Sequence, residues 1–184
     1  MVLLSLKKRN IDFGGGLERI ATAVNCIPDI FLLDVFDESR KKIEDLSGLK
    51  YDKSDEIKKS YRVILDHLRA SVMLIGDGVV PTNTDQGYFT RRLIRRSVRH
   101  GRLLGLNDNF CKDVVSSFIK QYGEYYIDIE KNKEEILNEI DLEETKFRKT
   151  LEKGLKEFEK MADDKHISSK EAFILFSRQY EANG

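Results

Sequence analysis

The chain has 184 residues with 32 basic and 32 acidic side chains, and 40% of it is hydrophobic, enough for one packed domain or two small ones. Zero formal net charge removes any global attraction to nucleic acid or membranes, so such a role has to come from local segregation of charge. Only 2 prolines and no apolar run near the roughly 20 residues a bilayer requires exclude membrane-spanning, collagen-like and turn-rich all-β classes.

The expected fold is mainly α: a helical bundle-like domain after a short N-terminal strand and turn. Val2 to Phe13 reads as extended structure running into Gly14-Gly15-Gly16. A helix follows from Leu17, with Ile20, Ala21 and Val24 at spacings of three and four, and stops before Pro28. A second helix is expected over Phe31 to Leu46, with Gly48 as its stop. Ser54 is a good N-cap, and Asp55 and Glu56 suit the positive end of a helix dipole. Ile57, Tyr61, Ile64, Leu65, Leu68, Val72 and Ile75 then make one apolar stripe.

Gly76 to Asn83 is turn chemistry, and Thr84 or Asp85 caps a helix over Gly87 to Leu104 that ends at Gly105. Phe110, Val114, Val115, Phe118 and Tyr122 mark a shorter amphipathic helix. From Tyr125 a long helix is expected, largely solvated, with Ile136, Ile140, Phe147, Leu151, Leu155 and Phe158 as its buried seam. Ser168-Ser169-Lys170-Glu171 before Ala172 to Phe176 matches a capping box opening a last helix.

Cys26 and Cys111 share no metal-ligand spacing with His67, His100 or His166, and both read as buried or idle thiols. His67, beside the apolar stripe, reads as a hydrogen-bonded packing residue. The segment Met1 to Asn10 has too short an apolar run for a signal peptide, and the expected setting is a reducing cytoplasm.

Two segments carry chemistry. In the first, Arg91, Arg92, Arg95, Arg96, Arg99 and Arg102 fall within an arc of about 140° at helical periodicity, and Tyr88 lies in the same arc. Guanidinium groups bind phosphates bidentately and release counterions, so an acid-free arginine face suits nucleic acid. The alternatives are a solvated face, or arginines paired internally with acidic helices. The second is Asp12-Phe13-Gly14-Gly15-Gly16-Leu17-Glu18-Arg19, where glycines admit a ligand closely and a new helix start offers free N–H groups to an anion. By itself such a run is a tight connection with a surface arginine more often than a site.

Residues 11 to 21, Ile-Asp-Phe-Gly-Gly-Gly-Leu-Glu-Arg-Ile-Ala, resemble motif 3 of the class II aminoacyl-tRNA synthetases in its alanyl-tRNA synthetase form. Arg62 to Ala70, Ile75 to Asn83, and Gly87-Tyr88 with Arg91 to Arg96 and Arg99-His100-Gly101 resemble that family's later signatures, in order. The resemblance implies that residues 1–27 are the motif 3 strand and helix of a catalytic core and 28–184 a helical domain recognising the tRNA acceptor stem. It implies that Arg19 contacts ATP phosphates and that Asp12 and Gly14 lie at the pocket for alanine. Asn83, in Pro81-Thr82-Asn83, would read the G·U pair of the tRNA for alanine, with the arginine helix on the acceptor-stem backbone.

Ser177 stands where the family carries an aspartate that partners this asparagine, a substitution that removes the charge. The family's reaction is ATP-dependent ligation of alanine to tRNA, with Mg²⁺. Its other catalytic motifs would precede Met1, so the chain alone is expected to bind tRNA, to hold no cofactor and to leave catalysis incomplete. The rival in another class is a stand-alone, non-catalytic RNA-binding helical module.

Overall fold

The computed structural model describes residues 14–161 and Ser169. The expected strand at 2–13, Asp12, His166, the expected last helix and Ser177 lie outside the described residues. The chain divides into two compact units, Met1–Asp37 and Glu38–Gly184. The described residues are mainly helical and include no strand.

In the first unit α1 spans Leu17–Val24, as its apolar spacing predicts. The helix expected over Phe31 to Leu46 is shorter. Two 3₁₀ turns, Ile30–Leu32 and Asp34–Phe36, precede α2 at Asp37–Ser47. The reason is local: the Asp29 carboxylate accepts from the Phe31 N–H at 3.1 Å, and Leu33 is extended, at ψ 151°, which interrupts any helical ladder.

The second unit is built on α3, Asp55–Gly76, and α4, Asp85–Leu103. Ser54 Oγ accepts from the Ile57 N–H at 3.3 Å, the N-cap its residue type predicts. Tyr61, Ile64, Leu65, Leu68, Val72 and Ile75 are all buried. The two helices run antiparallel. Thr90 Oγ1, near the start of α4, donates to the Val79 carbonyl just past α3 at 3.1 Å, and His100, near the end of α4, lies 3.1 Å from Ser60 Oγ near the start of α3.

Gly105, at φ +83°, ends the run, and α5 follows at Cys111–Tyr122. The long charged helix is broken in two, as α6, Ile127–Lys131, and α7, Lys133–Met161. The break is tertiary in origin. Buried Ile129 packs over Gly76, where an added Cβ would lie 3.3 Å from its Cγ1. The Asn132 side-chain amide donates to the Gly76 carbonyl at 3.0 Å, satisfying an orphan carbonyl at the end of α3.

The α7 seam holds Ile136 and Ile140 as expected, but it continues with two buried carboxylates, Glu143 and Glu144. Glu144 accepts from the Phe110 and Cys111 N–H groups at the start of α5, at 3.2 and 2.9 Å. It also pairs with Arg148 at 2.8 Å. Arg148 in turn donates to the carbonyls of Leu106, Asn107 and Asp108. A single carboxylate–guanidinium pair therefore fixes the α4–α5 connection to α7, and both charges are hydrogen-bonded as burial demands.

Candidate nucleic-acid interface

The arginine helix is α4, and it carries no acidic residue after Asp85. The structure divides its six arginines into two groups. Arg92, Arg96, Arg99 and Arg102 are exposed. Arg91 and Arg95 turn toward α7, with side chains only 12% and 15% exposed, and their Nε atoms lie 3.4 and 2.5 Å from Glu143 Oε1. The Arg95 guanidinium also sits over the Phe147 ring at 5.1 Å, a cation–π contact. Burial, and after it the neighbouring charge of Arg95, lowers the Arg91 guanidinium from its usual value, while Glu143 opposes that shift. Periodicity places all six on one side but cannot foresee that α7 brings a carboxylate to one edge of the arc.

Tyr88 and Phe89 are exposed beside the free arginines, their rings edge-on at 6.1 Å. Tyr88 is the expected member of this face. Phe89 and Leu103, also exposed, enlarge it. Aromatic rings among solvent-facing arginines form a surface on which bases stack while phosphates are held.

Asn83 is exposed in the bend between α3 and α4. The bend is held by short-range contacts: the Thr82 N–H donates to the Gly87 carbonyl at 3.1 Å, and Thr82 Oγ1 donates to the Thr84 carbonyl at 2.8 Å. It folds so closely on α4 that a Cβ at Gly87 would overlap Thr82 Oγ1 and the Val80 carbonyl. Thr84 is the N-cap of α4 by backbone position only, with no side-chain cap bond, and Asp85 takes a left-handed φ of +52°. Asn83 is thereby presented at the end of the helix that carries the arginines.

His100 lies on the α3 side of this face. Burial, and after it the charges of Arg96, Lys59 and Arg99, lowers its imidazole below the usual value. His67 pairs through Nδ1 with Asp66 at 3.1 Å. That hydrogen bond is the main cause of the lowered Asp66 carboxyl.

In the first unit Gly14 is exposed. Gly16 is the N-cap of α1, in extended backbone. Arg19 is exposed, and its Cδ lies 3.4 Å from where a Gly16 Cβ would stand. Its side chain is thus carried on the first turn of α1. Cys26 is exposed, with φ +52°, whereas Cys111 is buried. Burial, and after it Glu144, pushes the Cys111 thiol well up. Among the described residues no cluster of His, Cys, Asp and Glu fit to hold a metal occurs, and no helix is long and apolar enough to cross a membrane.

The arginine face with its neighbouring aromatic rings is a surface suited to a polyanion. The sequence model of the family described as tRNA synthetases class II (A) matches residues 1–178, and the chain belongs to that family. Its curated relatives are alanine–tRNA ligases. The Thermotoga maritima enzyme is 39% identical over 172 residues, 93% of this chain and 20% of the relative. That of Thermoanaerobacter sp. (strain X514) is 43% identical over 150 residues, 82% of this chain and 17% of the relative. That of Prochlorococcus marinus subsp. pastoris is 42% identical over 177 residues, 95% of this chain and 20% of the relative. The chain thus spans about a fifth of the length of the curated relatives it matches.

Proposed function

We propose that this chain is the part of an alanine–tRNA ligase that grips the tRNA acceptor stem and contributes the motif 3 contacts to ATP and alanine. The observation that carries the reading is the acid-free strip of Arg92, Arg96, Arg99 and Arg102 on α4, with Tyr88 beside it and Asn83 at its leading end. In this reading the four exposed arginines hold backbone phosphates, and Asn83 reads the G·U pair from the shallow groove of an A-form duplex. Arg91 and Arg95 sit at the edge of the same face, where Glu143 fixes their orientation. Ser177 stands at the position of the family's aspartate and brings no charge to the G·U pair.

At the other end of the chain, Arg19 meets the ATP phosphates at the start of α1, the helix end whose dipole favours anions. Asp12 and Gly14 belong, in this reading, to the pocket for the alanine amino group. The ligation itself requires ATP, alanine and the tRNA end held together, and the chain alone binds the acceptor stem without completing it. The cytoplasm, where tRNA is charged, is its place of action.

The test is the affinity of the purified chain for an acceptor-stem duplex bearing G·U against one bearing G·C, at low and moderate salt. A preference for G·U that Asn83→Ala abolishes is expected. Four phosphate contacts give log–log salt slopes of about −3.6, at about −0.9 each. Equal affinity for the two duplexes refutes the G·U assignment, and binding insensitive to salt refutes the arginine face.

A further inference from the structure

Beside the arginine face, a cavity opens at the α3–α4 junction that the contacts assigned above leave unused. Its walls are Lys59, Ser60 and His100, with Ile57, Leu103 and Leu104 as an apolar floor and Glu56 at its rim. We infer that this cavity is a phosphate seat, which carries the arginine face from α4 across onto α3.

The charges decide its sign. Lys59 lines the cavity beside His100, with Glu56 the one carboxylate in its lining, and the charges of Arg96 and Arg99 on α4 and of Lys59 and His67 on α3 act on the imidazole. The positive end of α3 and the negative end of α4 both border the cavity and largely offset each other, so the side-chain cations dominate. Ser60, only 3% exposed, holds the imidazole through Nδ1 at 3.1 Å, which orients the ring without supplying a charge.

In the absence of an anion the surrounding cations and burial disfavour protonation of His100. A phosphate in the cavity reverses that balance. The imidazole then takes up one proton from solvent, and the imidazolium joins Lys59 as a second cation on the cavity wall. The apolar floor suits the sugar or base attached to a bound phosphodiester. With tRNA as that source, the seat rests on the acceptor-stem reading, while its chemistry toward phosphate stands apart from it.

Two arms test it on the full chain. The first measures acceptor-stem duplex affinity from about pH 8 to about pH 6. Affinity is expected to rise by up to about tenfold per pH unit while one proton is taken up. In His100→Gln, which keeps a hydrogen-bonding group toward Ser60 but cannot charge, the rise is expected to flatten. The second arm follows the three histidine ring resonances during titration with inorganic phosphate alone, with His67→Gln to assign the neighbouring imidazole.

Tight duplex binding with a pH profile unchanged by His100→Gln, and a His100 resonance that does not move in the complex, overturns the seat and leaves the arginine face standing. Absence of duplex binding overturns the acceptor-stem reading instead. In that case a His100 titration raised by phosphate supports the seat, and one that phosphate leaves in place overturns it.

Discussion

Replacing Glu143 by alanine tests how the six arginines are divided. The carboxylate is 7% exposed and serves two guanidiniums that are themselves 12% and 15% exposed. Its removal takes the shared carboxylate from two like charges side by side at the α4–α7 contact. Breaking a buried ion pair from one side costs about 3–5 kcal/mol. The arginine stems are long enough to swing their heads toward solvent, so the lower end, about 3 kcal/mol, is expected here. For a chain of this size each kcal/mol moves Tm by roughly 2–4 °C, so a fall of about 6–12 °C is expected by circular dichroism.

The triple change Glu143→Leu, Arg91→Met, Arg95→Met removes charge from both sides and should recover most of that loss, because no isolated charge remains to be desolvated. If the arginines are structural at rest but lie within reach of phosphate, Glu143→Gln also steepens the salt dependence of duplex binding, since two more guanidiniums become available. A Glu143→Ala protein that loses less than about 0.5 kcal/mol, the range of an exposed pair, would refute the claim that this carboxylate anchors α4 to α7.

Three further outcomes follow from close contacts. Gly101→Ala drives a methyl group into the Phe110 ring, and overpacking of this kind is expected to cost about 1–3 kcal/mol in urea denaturation. Gly87→Ala displaces the Val80–Thr82 segment. It should therefore reduce discrimination between G·U and G·C duplexes while leaving the salt slope, set by the α4 arginines, unchanged. Of the two cysteines, exposed Cys26 should react promptly with a thiol reagent in the native state. Buried Cys111, its thiol pushed up by burial and Glu144, should react only after denaturation, a difference that thiol counting with and without guanidinium resolves.

The helices legible from sequence are those whose signals are local. A serine cap, a carboxylate-rich first turn and an apolar residue every three or four positions define α3 whatever surrounds it. The glycine stop after α4 is similarly local, whereas the start of α5 is capped across the fold by Glu144. The arginine cluster of α4 was legible because periodicity gathers six guanidiniums on one side of a single helix, whereas Asn83 stood out through the family resemblance alone. Less was legible at residues 30–36, where the Asp29 side chain bonds its own backbone neighbour and tight turns replace the first part of the expected helix.

Sequence by itself determined the helical class, the order of the helices and the sign of the charge on α4, since propensity, capping and periodicity act over a few residues. Tertiary structure alone decided which arginines face solvent and where the last long helix breaks. Glu143 reaches Arg95 across 48 positions of chain, and Asn132 reaches Gly76 across 56. Neither pairing leaves a mark in local spacing. Both glutamates of the α7 seam belong to a run of mixed charge that reads as solvated, and only the approach of α4 and α5 excludes water from them and supplies the partners that burial of a charge requires.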